Sequence, residues 1–165
     1  GHDHRASEID LFYDGVRLPF ADAAFDSVLS VEVFEHVFNL EAIVGELHRV
    51  MKPGAYLLVT LPFVWEEHEI PYDYARYSSL GITDLLTRQG FAIVRLDKTT
   101  NYVATLFQLG TAYVSQSLLP ARPWWLRALL TGLMVAPLTL LGMALARLLP
   151  DNRNLYLNHV VVARK

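Results

Sequence analysis

Two groups of polar and titratable side chains in this sequence could carry chemistry. The first group closes an apolar run at residues 25–31 and continues beyond it, comprising Ser30, Glu32, Glu35 and His36. The run has the composition of a strand covered on both faces, and open α/β sheets bind ligands at the carboxyl ends of such strands. The first group therefore marks a candidate ligand site. In it, His36 is predicted to face a substrate, with a packed structural histidine as the alternative.

The second group lies in the aromatic and charged stretch 63–79. Loops of this length inside a compact domain are usually functional. Since imidazole titrates near neutral pH, His68 is the candidate general base, with a solvated histidine among glutamates as the alternative. The other candidate substrate-side residues here are Tyr72, Asp73, Arg76 and Tyr77. Aromatic packing and an internal Arg76–Asp73 ion pair are the alternatives for these residues. No spacing requires a metal, so no metal site is predicted.

Alternating strands and helices are predicted to position both groups at one end of a sheet. Apolar runs predict strands at residues 8–13, 25–31, 56–61, 91–96 and 155–163. Apolar residues at helical spacing predict one helix from the N-cap Asn39 to Lys52-Pro53-Gly54 and another from the cap Ser79 to Gly90. Strand–helix alternation with short connections indicates an α/β fold with a doubly wound, mainly parallel sheet.

Composition narrows the class of protein further. The 165 residues are 53 % apolar and 19 % charged, with a net charge of −3 and no cysteine. This length suits one domain with a real core. The net charge does not favour nucleic acid as a partner, and the lack of cysteine excludes disulfides and thiolate metal sites. The chain starts Gly1-His2-Asp3-His4, without Met and without the features of a signal peptide.

Several short segments, taken in order, resemble the second half of class I S-adenosylmethionine-dependent methyltransferases, in the branch known as type 11. They include Asp14-Gly15, Leu18-Pro19-Phe20, Phe25-Asp26, Glu35-His36, Lys52-Pro53-Gly54 and Tyr72-Asp73-Tyr74-Ala75-Arg76-Tyr77. The resemblance covers roughly residues 1–98 and the final strand. It implies a Rossmann-like methyltransferase fold, S-adenosylmethionine as cofactor and methyl transfer to a small or lipid-linked acceptor. The alternative is a non-catalytic module of the same fold that binds a membrane or a partner.

The resemblance also assigns cofactor-binding positions. Asp3 matches the acid that binds the ribose hydroxyls, and Asp14 with Gly15 matches the position at the adenine edge. The segment that lies along the cofactor is matched by Ser30, Val31 and Glu32. A terminal surface residue is the alternative for Asp3, and an Asx-turn is the alternative for Asp14.

The glycine-rich cofactor loop of the family is absent from the sequence. No G-x-G-x-G motif occurs, and the family's first strand, which is central in the sheet, has no counterpart. Without that strand the remaining strands would leave unpaired apolar edges. We therefore expect the chain to be the carboxyl-terminal fragment of a longer protein, and to be inactive and bind cofactor weakly, or not at all, on its own.

An apolar insert of different character separates two parts of the predicted domain. The predicted division is an α/β domain at 1–101 and 151–165, with a hydrophobic helical insert at 102–150. An uncharged run from Ala128 to Ala146 would reach about 28 Å at about 1.5 Å per residue, close to the thickness of a bilayer core. Tryptophans and arginines precede this run, as in an interfacial anchor, whereas Pro137 within it would kink a helix.

The final predicted strand limits how this insert can meet a membrane. That strand must return to the sheet, so a single complete crossing is excluded. Two interpretations remain: a helical hairpin that dips into or lies on a membrane surface, and a helical lid packed on the sheet or on another subunit. We favour peripheral membrane contact through residues 122–149, at the cytoplasmic (inner) face, which suits a lipid-linked acceptor. The sequence does not indicate the oligomeric state.

Overall fold

The predicted alternation of strands and helices is present in a computed structural model that describes residues 17–119 and 123–165. The elements in chain order are β1 (Phe25–Val31), α1 (Leu40–Val50), β2 (Met51–Pro62), α2 (Ser79–Arg88), β3 (Ala92–Lys98), α3 (Tyr102–Tyr113), α4 (Trp124–Leu130), α5 (Ala136–Leu148) and β4 (Asn158–Arg164). A 3₁₀ turn at Phe34–His36 follows β1, and π-helical turns at Val114–Leu118 and Thr131–Val135 extend α3 and join α4 to α5. The strand predicted at 8–13, with Asp3, Asp14 and Gly15, lies outside the described residues.

The described strands lie in the order β1-β2-β4-β3. β1 is parallel to β2, whereas β4 is antiparallel to both β2 and β3. β1, β2 and β3 therefore point in the same direction, and among the described strands only β4 is reversed. This arrangement confirms the predicted α/β class with a mainly parallel sheet. It also places the carboxyl ends of β1 and β2 at the same edge of the sheet.

The two inner strands, β2 and β4, carry the most deeply buried part of the core. Leu57, Val59 and Leu61 of β2 are fully buried, as are Val161 and Ala163 of β4. Helices α1 and α2 cover this sheet with an apolar face that includes Leu40, Val44, Ile82, Leu85 and Leu86. Burial at about 25 cal/mol per Å² makes these contacts the main stabilising contribution to the α/β part of the fold.

β1 is less covered than its sequence predicts. Leu29 is 67 % exposed and Val31 is 51 % exposed. Among the described residues, β1 pairs with β2 alone. The expectation of a strand covered on both faces is therefore wrong for the described part of the chain. A continuous apolar run does not reveal whether one of its faces is open.

Capping side chains begin the two helices that cover the sheet. Asn39 caps α1 as predicted, because its Oδ1 accepts a hydrogen bond from the backbone N–H of Ala42 at 3.3 Å. The cap of α2 is Ser78 and not Ser79, since Ser78 Oγ accepts from the N–H of Gly81 at 3.1 Å. The capping chemistry is thus confirmed, and the second cap is one residue earlier than expected.

The observed strand boundaries differ from the predicted ones. The sequence predicts that Lys52-Pro53-Gly54 ends a helix and that a strand starts at Tyr56, whereas β2 begins at Met51 and includes all three residues. Gly54 adopts a φ of 82°, and its N–H donates to the carbonyl of Lys165 at 2.8 Å. β3 and β4 likewise extend past their predicted ends, and β4 starts three residues later than expected, at Asn158. Pairing with distant strands, which is not a local property, sets these limits.

The helices between β3 and β4 form an antiparallel pair, which we call the apolar hairpin (residues 102–118 and 124–148). Asn101 Nδ2 donates to the carbonyl of Ala146 at 2.9 Å, so both ends of the hairpin lie beside the sheet. α3 packs closely against α5 where Phe107 meets Gly142. The predicted helical insert is therefore present as two helices that leave the sheet and return to it.

The outer helix of the hairpin, Trp124–Leu148, is long and apolar enough to cross a membrane by length and composition, yet only 6 % of its most apolar window is buried. Its large exposed side chains include Trp124, Trp125, Leu129, Leu133, Leu140, Leu141 and Leu148. Pro137 lies in the first turn of α5, directly after a π-helical turn, where its missing N–H is tolerated. An exposed apolar face of this size marks an interaction surface.

Two glycines of the hairpin, one tightly packed and one open, allow a first test of its packing. A Cβ at Gly142 would lie 2.5 Å from Cβ and Cγ of Phe107, so Gly142→Ala should force α5 away from α3 and destabilise the protein by about 1–3 kcal/mol. Gly110 of α3 has nothing within 4 Å of the same position, so Gly110→Ala should stabilise by about 0.5–1 kcal/mol through helix propensity. Urea unfolding of both variants measures the contrast. Equal effects of one sign would contradict the close contact.

A buried histidine in β4 gives a second test, through pH. His159 is fully buried, and burial, with a smaller effect of Lys98, lowers its pKa to about 4. The unfolded chain binds this proton at about pH 6.5, so stability should fall by about 3 kcal/mol as the pH drops from about 6.5 to 4. His159→Leu should flatten that part of the stability profile. An imidazole signal of His159 that titrates near pH 6.5 in NMR spectra would contradict this prediction.

Candidate active site

The first polar group lies at the carboxyl end of β1, as predicted. Ser30 is buried in the strand, and Glu32 follows it with a φ of 50°, a left-handed conformation that is uncommon outside glycine. The N–H of Glu32 donates to the carbonyl of Thr60 at 3.0 Å. The carboxylate of Glu32 accepts two hydrogen bonds from Asn158 Nδ2, each of 3.0 Å. These contacts hold the charge of Glu32 at the sheet edge, and strained backbone of this kind clusters at functional sites.

A cavity of about 290 Å³ opens at this edge of the sheet. Its lining residues are Glu32, Pro62, Trp65, His68, Gln108, Leu157 and Asn158. The cavity therefore joins Glu32 of the first group, His68 of the second and Gln108 of the apolar hairpin. Its volume is close to the lower end of the range for sites that hold small ligands.

Two histidines and a buried carboxyl group meet beside this cavity. The rings of His36 and His68 are in edge-to-face contact, with their centroids 4.8 Å apart. His36 Nε2 is 3.8 Å from Oε1 of Glu35. Glu35 is fully buried, and neither of its carboxyl oxygens has a hydrogen-bond partner among the described residues. Burial raises the pKa of Glu35 above its usual range.

An ion pair shapes the loop that carries His68. Arg76 makes a two-pronged contact with Asp73, from Nη1 to Oδ1 at 2.5 Å and from Nη2 to Oδ2 at 2.6 Å. The backbone N–H of His68 also donates to Oδ2 of Asp73, at 3.0 Å. The Arg76 guanidinium holds the pKa of the Asp73 carboxyl well below its usual range. The internal ion pair that was the alternative for these two residues is thus present, and their contact with a substrate stays a prediction.

The tyrosines of the loop have different surroundings. The carbonyl of Tyr72 contacts Nδ1 of His36 at 2.8 Å, so the backbone of Tyr72 helps to orient that ring. Tyr77 packs against the core, and burial raises the pKa of its hydroxyl. Tyr156, which sequence reasoning missed, stacks on Phe63 with ring centroids 4.5 Å apart. Its hydroxyl accepts a hydrogen bond from the N–H of Ser79 at 2.9 Å, which ties the loop to the sheet.

The structure thus brings some predicted site residues together and not others. Glu32 and His68 line one cavity, and His36 lies against His68. Ser30 is buried in β1, whereas Val31 is exposed. Sequence reasoning missed Asn158, Gln108 and Trp65, which complete the cavity. A polar residue at the start of the valine-rich last strand was the one local signal that could have indicated Asn158.

Sequence comparison gives a first indication of the family. A family model described as a methyltransferase domain matches residues 5–59. Sterol methyltransferase-like 1 of Botryococcus braunii is 37 % identical over 62 residues, which cover 35 % of this chain and 16 % of that protein. The enzyme 24-methylenesterol C-methyltransferase 2 of Arabidopsis thaliana is 30 % identical over 116 residues, which cover 68 % of this chain and 30 % of that protein. The chain spans less than a third of the length of these relatives.

Structure comparison agrees with this indication. The methyltransferase solved in complex with the Haloferax volcanii Trm112 methyltransferase activator aligns with a TM-score of 0.57 and 20 % identity, over 93 % of this chain and 60 % of that chain. At this identity the likeness shows the fold alone. The chain thus has a methyltransferase fold, and its residues 5–59 match the model of a methyltransferase domain.

The described residues can be compared with what is needed to bind S-adenosylmethionine, the cofactor of class I methyltransferases. The left-handed backbone at Glu32 and the adjoining cavity fit a ligand that lies along the end of β1. The side chain of Glu32 is directed to Asn158, so the backbone of Glu32 is the part that could face a ligand there. The described residues thus fit one part of the cofactor, and the other expected contacts, Asp3, Asp14 and Gly15, lie outside them.

Proposed function

We propose that the protein transfers a methyl group from S-adenosylmethionine to a small or lipid-linked acceptor at the carboxyl edge of β1 and β2. The observation that carries the proposal is the cavity, because it joins the end of β1, the loop of His68 and the apolar hairpin in one site. The bound cofactor supplies a methyl group on a positively charged sulfonium. The chain's own residues have to position the acceptor and exclude water.

Ser30, Val31 and Glu32 are the described residues proposed to lie along the cofactor. His68 is the cavity-lining group that could accept the proton of a hydroxyl acceptor. Trp65 and Gln108 offer an apolar wall and a hydrogen-bonding amide for the rest of the acceptor. This distribution suits an acceptor that is largely apolar and carries one reactive polar group.

A lipid-linked acceptor is supported by the groove next to the cavity. The groove has a volume of about 400 Å³ and runs between the loop and α3, lined by Val64, Trp65, Glu66, Leu109, Ala112, Tyr113, Gln116 and Ser117. Trp65 lines both the groove and the cavity, so the two are adjacent. The groove connects the site to the apolar hairpin. The relatives named as sterol methyltransferases support the same class of acceptor.

We further propose that the apolar hairpin docks on an anionic lipid surface at the cytoplasmic face of a membrane. No Asp or Glu occurs between residues 102 and 150, and Arg127 and Arg147 flank the apolar run. Basic residues favour anionic headgroups, and Trp124 and Trp125, both exposed, are the residue type enriched at membrane interfaces. Docking would place the mouth of the groove where an apolar acceptor resides.

The proposal is tested by methyl transfer with the protein in its full natural length. The protein is incubated with S-adenosylmethionine that carries a labelled methyl group, once with a membrane lipid extract and once with a water-soluble extract. We expect label in the lipid fraction and saturable cofactor binding by calorimetry. Label confined to the water-soluble fraction would contradict the lipid-linked acceptor, and absence of cofactor binding would contradict methyl transfer itself.

A further inference from the structure

We propose that Glu35, His36 and His68 bind a divalent transition-metal ion with zinc-like ligand preference. One donor atom from each of the three lies within 4.8 Å of the donors of the other two. Two imidazoles and one carboxylate are a ligand set that holds zinc in catalytic sites and leaves a coordination position open. This site goes beyond methyl transfer, and it differs from the sequence-based expectation of no metal.

The unpartnered carboxyl group of Glu35 is the strongest single observation for this site. Its side chain is fully buried, and both oxygens lack a hydrogen-bond partner among the described residues. A buried carboxyl group in that state costs stability. The backbone carbonyl of Glu35 meanwhile accepts hydrogen bonds from Tyr74 at 2.9 Å and Ala75 at 3.3 Å, so the residue is held in place. A bound cation would give this carboxyl group the partner that it lacks.

The ring of His36 is oriented for coordination through Nε2. Its Nδ1 is 2.8 Å from the carbonyl of Tyr72, and a carbonyl only accepts, so Nδ1 carries the proton. Nε2 then presents its lone pair on the side of Glu35, 3.8 Å from Oε1. A metal-bound histidine usually donates its other ring N–H to a carbonyl or a carboxylate, as here.

His68 has a similar arrangement around its own Nδ1. Two acceptors lie close to that nitrogen, Oδ2 of Asp73 at 3.3 Å and the carbonyl of Glu66 at 3.2 Å. One donor, Nη2 of Arg76, is farther away at 3.4 Å. The nearer acceptors favour a proton on Nδ1, which leaves Nε2 as the nitrogen available for a metal. A carboxylate behind a histidine ligand strengthens its basicity.

The coordination position that the three side chains leave open on the metal would face the active-site cavity. Nitrogen and oxygen ligands about 2.0–2.1 Å from zinc lie about 3.4 Å from one another in a tetrahedral site. The observed spread of up to 4.8 Å would therefore contract by about 1.4 Å on binding, through side-chain rotation in the loop of His68. His68 lines the cavity, so an open position on the metal would lie at its wall.

The catalytic role of this metal rests on the proposed function. A hydroxyl oxygen bound in the open position would have its pKa lowered and would lose its proton to solvent. Coordination would occupy the nitrogen that a general base needs, so His68 cannot play both roles at once. With the metal bound, the acceptor would be one that coordinates it and reacts through an oxygen or sulfur atom, in contrast to the carbon acceptor in the name of the C-methyltransferase relative.

Direct metal binding tests the site without any need for methyl transfer. The full-length protein is titrated with Zn²⁺ against a chromophoric chelator, and Co²⁺ is used for its visible spectrum. We expect one ion to bind per chain, and Glu35→Gln and His68→Gln each to weaken binding by at least about 100-fold. Glu41→Gln, an exposed carboxyl on α1 that pairs with Arg88, is the matched control and should bind as the parent does.

Thermal melting of the metal-free variants separates loss of the site from loss of the fold. Because Glu35 has no hydrogen-bond partner among the described residues, metal-free Glu35→Gln should melt at the same temperature as the parent or higher.

The metal site is contradicted if Glu35→Gln binds Zn²⁺ as tightly as the parent does, or if the parent does not bind Zn²⁺. If the parent binds Mg²⁺ alone, the two histidines are not ligands. Zinc binding without any methyl transfer would support the metal site and contradict the proposed function. Transfer that persists in Glu35→Gln with chelator present would remove only the metal's catalytic role.

Discussion

Replacing Leu133 and Leu140 by aspartate together should reduce binding to anionic lipid vesicles by at least about 100-fold. Both leucines are 65 % exposed on the outer helix of the apolar hairpin. Exchange of leucine for aspartate at the centre of a membrane-embedded helix costs about 3 kcal/mol, or about 100-fold in affinity, for each residue. A peripheral helix is only partly embedded, so the pair of substitutions is needed for a loss of this size.

The matched control is Leu80→Asp on α2, where the leucine is 80 % exposed. It introduces one negative charge on the α/β part of the protein, as each of the two hairpin substitutions does on the hairpin, and should leave vesicle binding unchanged. Co-sedimentation with vesicles of phosphatidylcholine and phosphatidylglycerol measures the affinity, and sedimentation velocity measures the oligomeric state. If the double variant still binds vesicles, the membrane proposal fails. It also fails if the parent is a dimer that the double variant dissociates without any lipid, since the hairpin would then be an interface between copies.

Local sequence signals located the elements of the fold well and their boundaries less well. The cap Asn39 and the helical spacing after it identified α1 because both are properties of neighbouring residues. The start of β2 at Met51 depends on pairing with Phe25 of β1, a strand that lies before helix α1 in the sequence. No local pattern contains that partner, so the strand was expected to begin later.

The candidate site was predictable residue by residue but not as an arrangement. His36 and His68 were each singled out by residue type, yet their ring contact joins two loops that are remote in the sequence. The absence of a local metal-ligand spacing therefore said nothing about ligands assembled by folding. The full burial of Glu35 was equally invisible, because glutamate is usually exposed.

The two buried carboxyl groups of the site differ in whether they have hydrogen-bond partners. Asp73 is satisfied by Arg76 and by the N–H of His68, whereas Glu35 has no hydrogen-bond partner among the described residues. Natural proteins keep such unsatisfied groups chiefly where function requires them. We therefore expect substitutions at the two positions to change stability in opposite directions, with Glu35→Gln neutral or stabilising and loss of the Asp73 partner strongly destabilising.

Arg76→Met should destabilise the protein by about 3–5 kcal/mol, since removing one partner of a buried ion pair leaves the other charge uncompensated. The Asp73 side chain is only 4 % exposed, and that of Arg76 is 22 % exposed. Urea unfolding at pH 7 measures the change. Arg88→Met, which breaks ion pairs with Glu41 and Asp84 whose members are all more than half exposed, is the control and should cost less than about 1 kcal/mol.

The pH dependence of this loss identifies its cause. In the parent, pairing lowers the pKa of Asp73, so its stabilising contribution is present above the usual carboxyl pKa of 3.8 and is lost as the pH falls through the lowered value. In Arg76→Met the unpaired carboxyl protonates more readily, so the difference in stability between parent and variant should shrink below about pH 4. The double variant Arg76→Met, Asp73→Leu removes the orphaned charge and should recover most of the loss at pH 7. A loss that is independent of pH and is not recovered in the double variant would mean that the Arg76 side chain acts by packing, and that the ion pair does not hold the loop of His68.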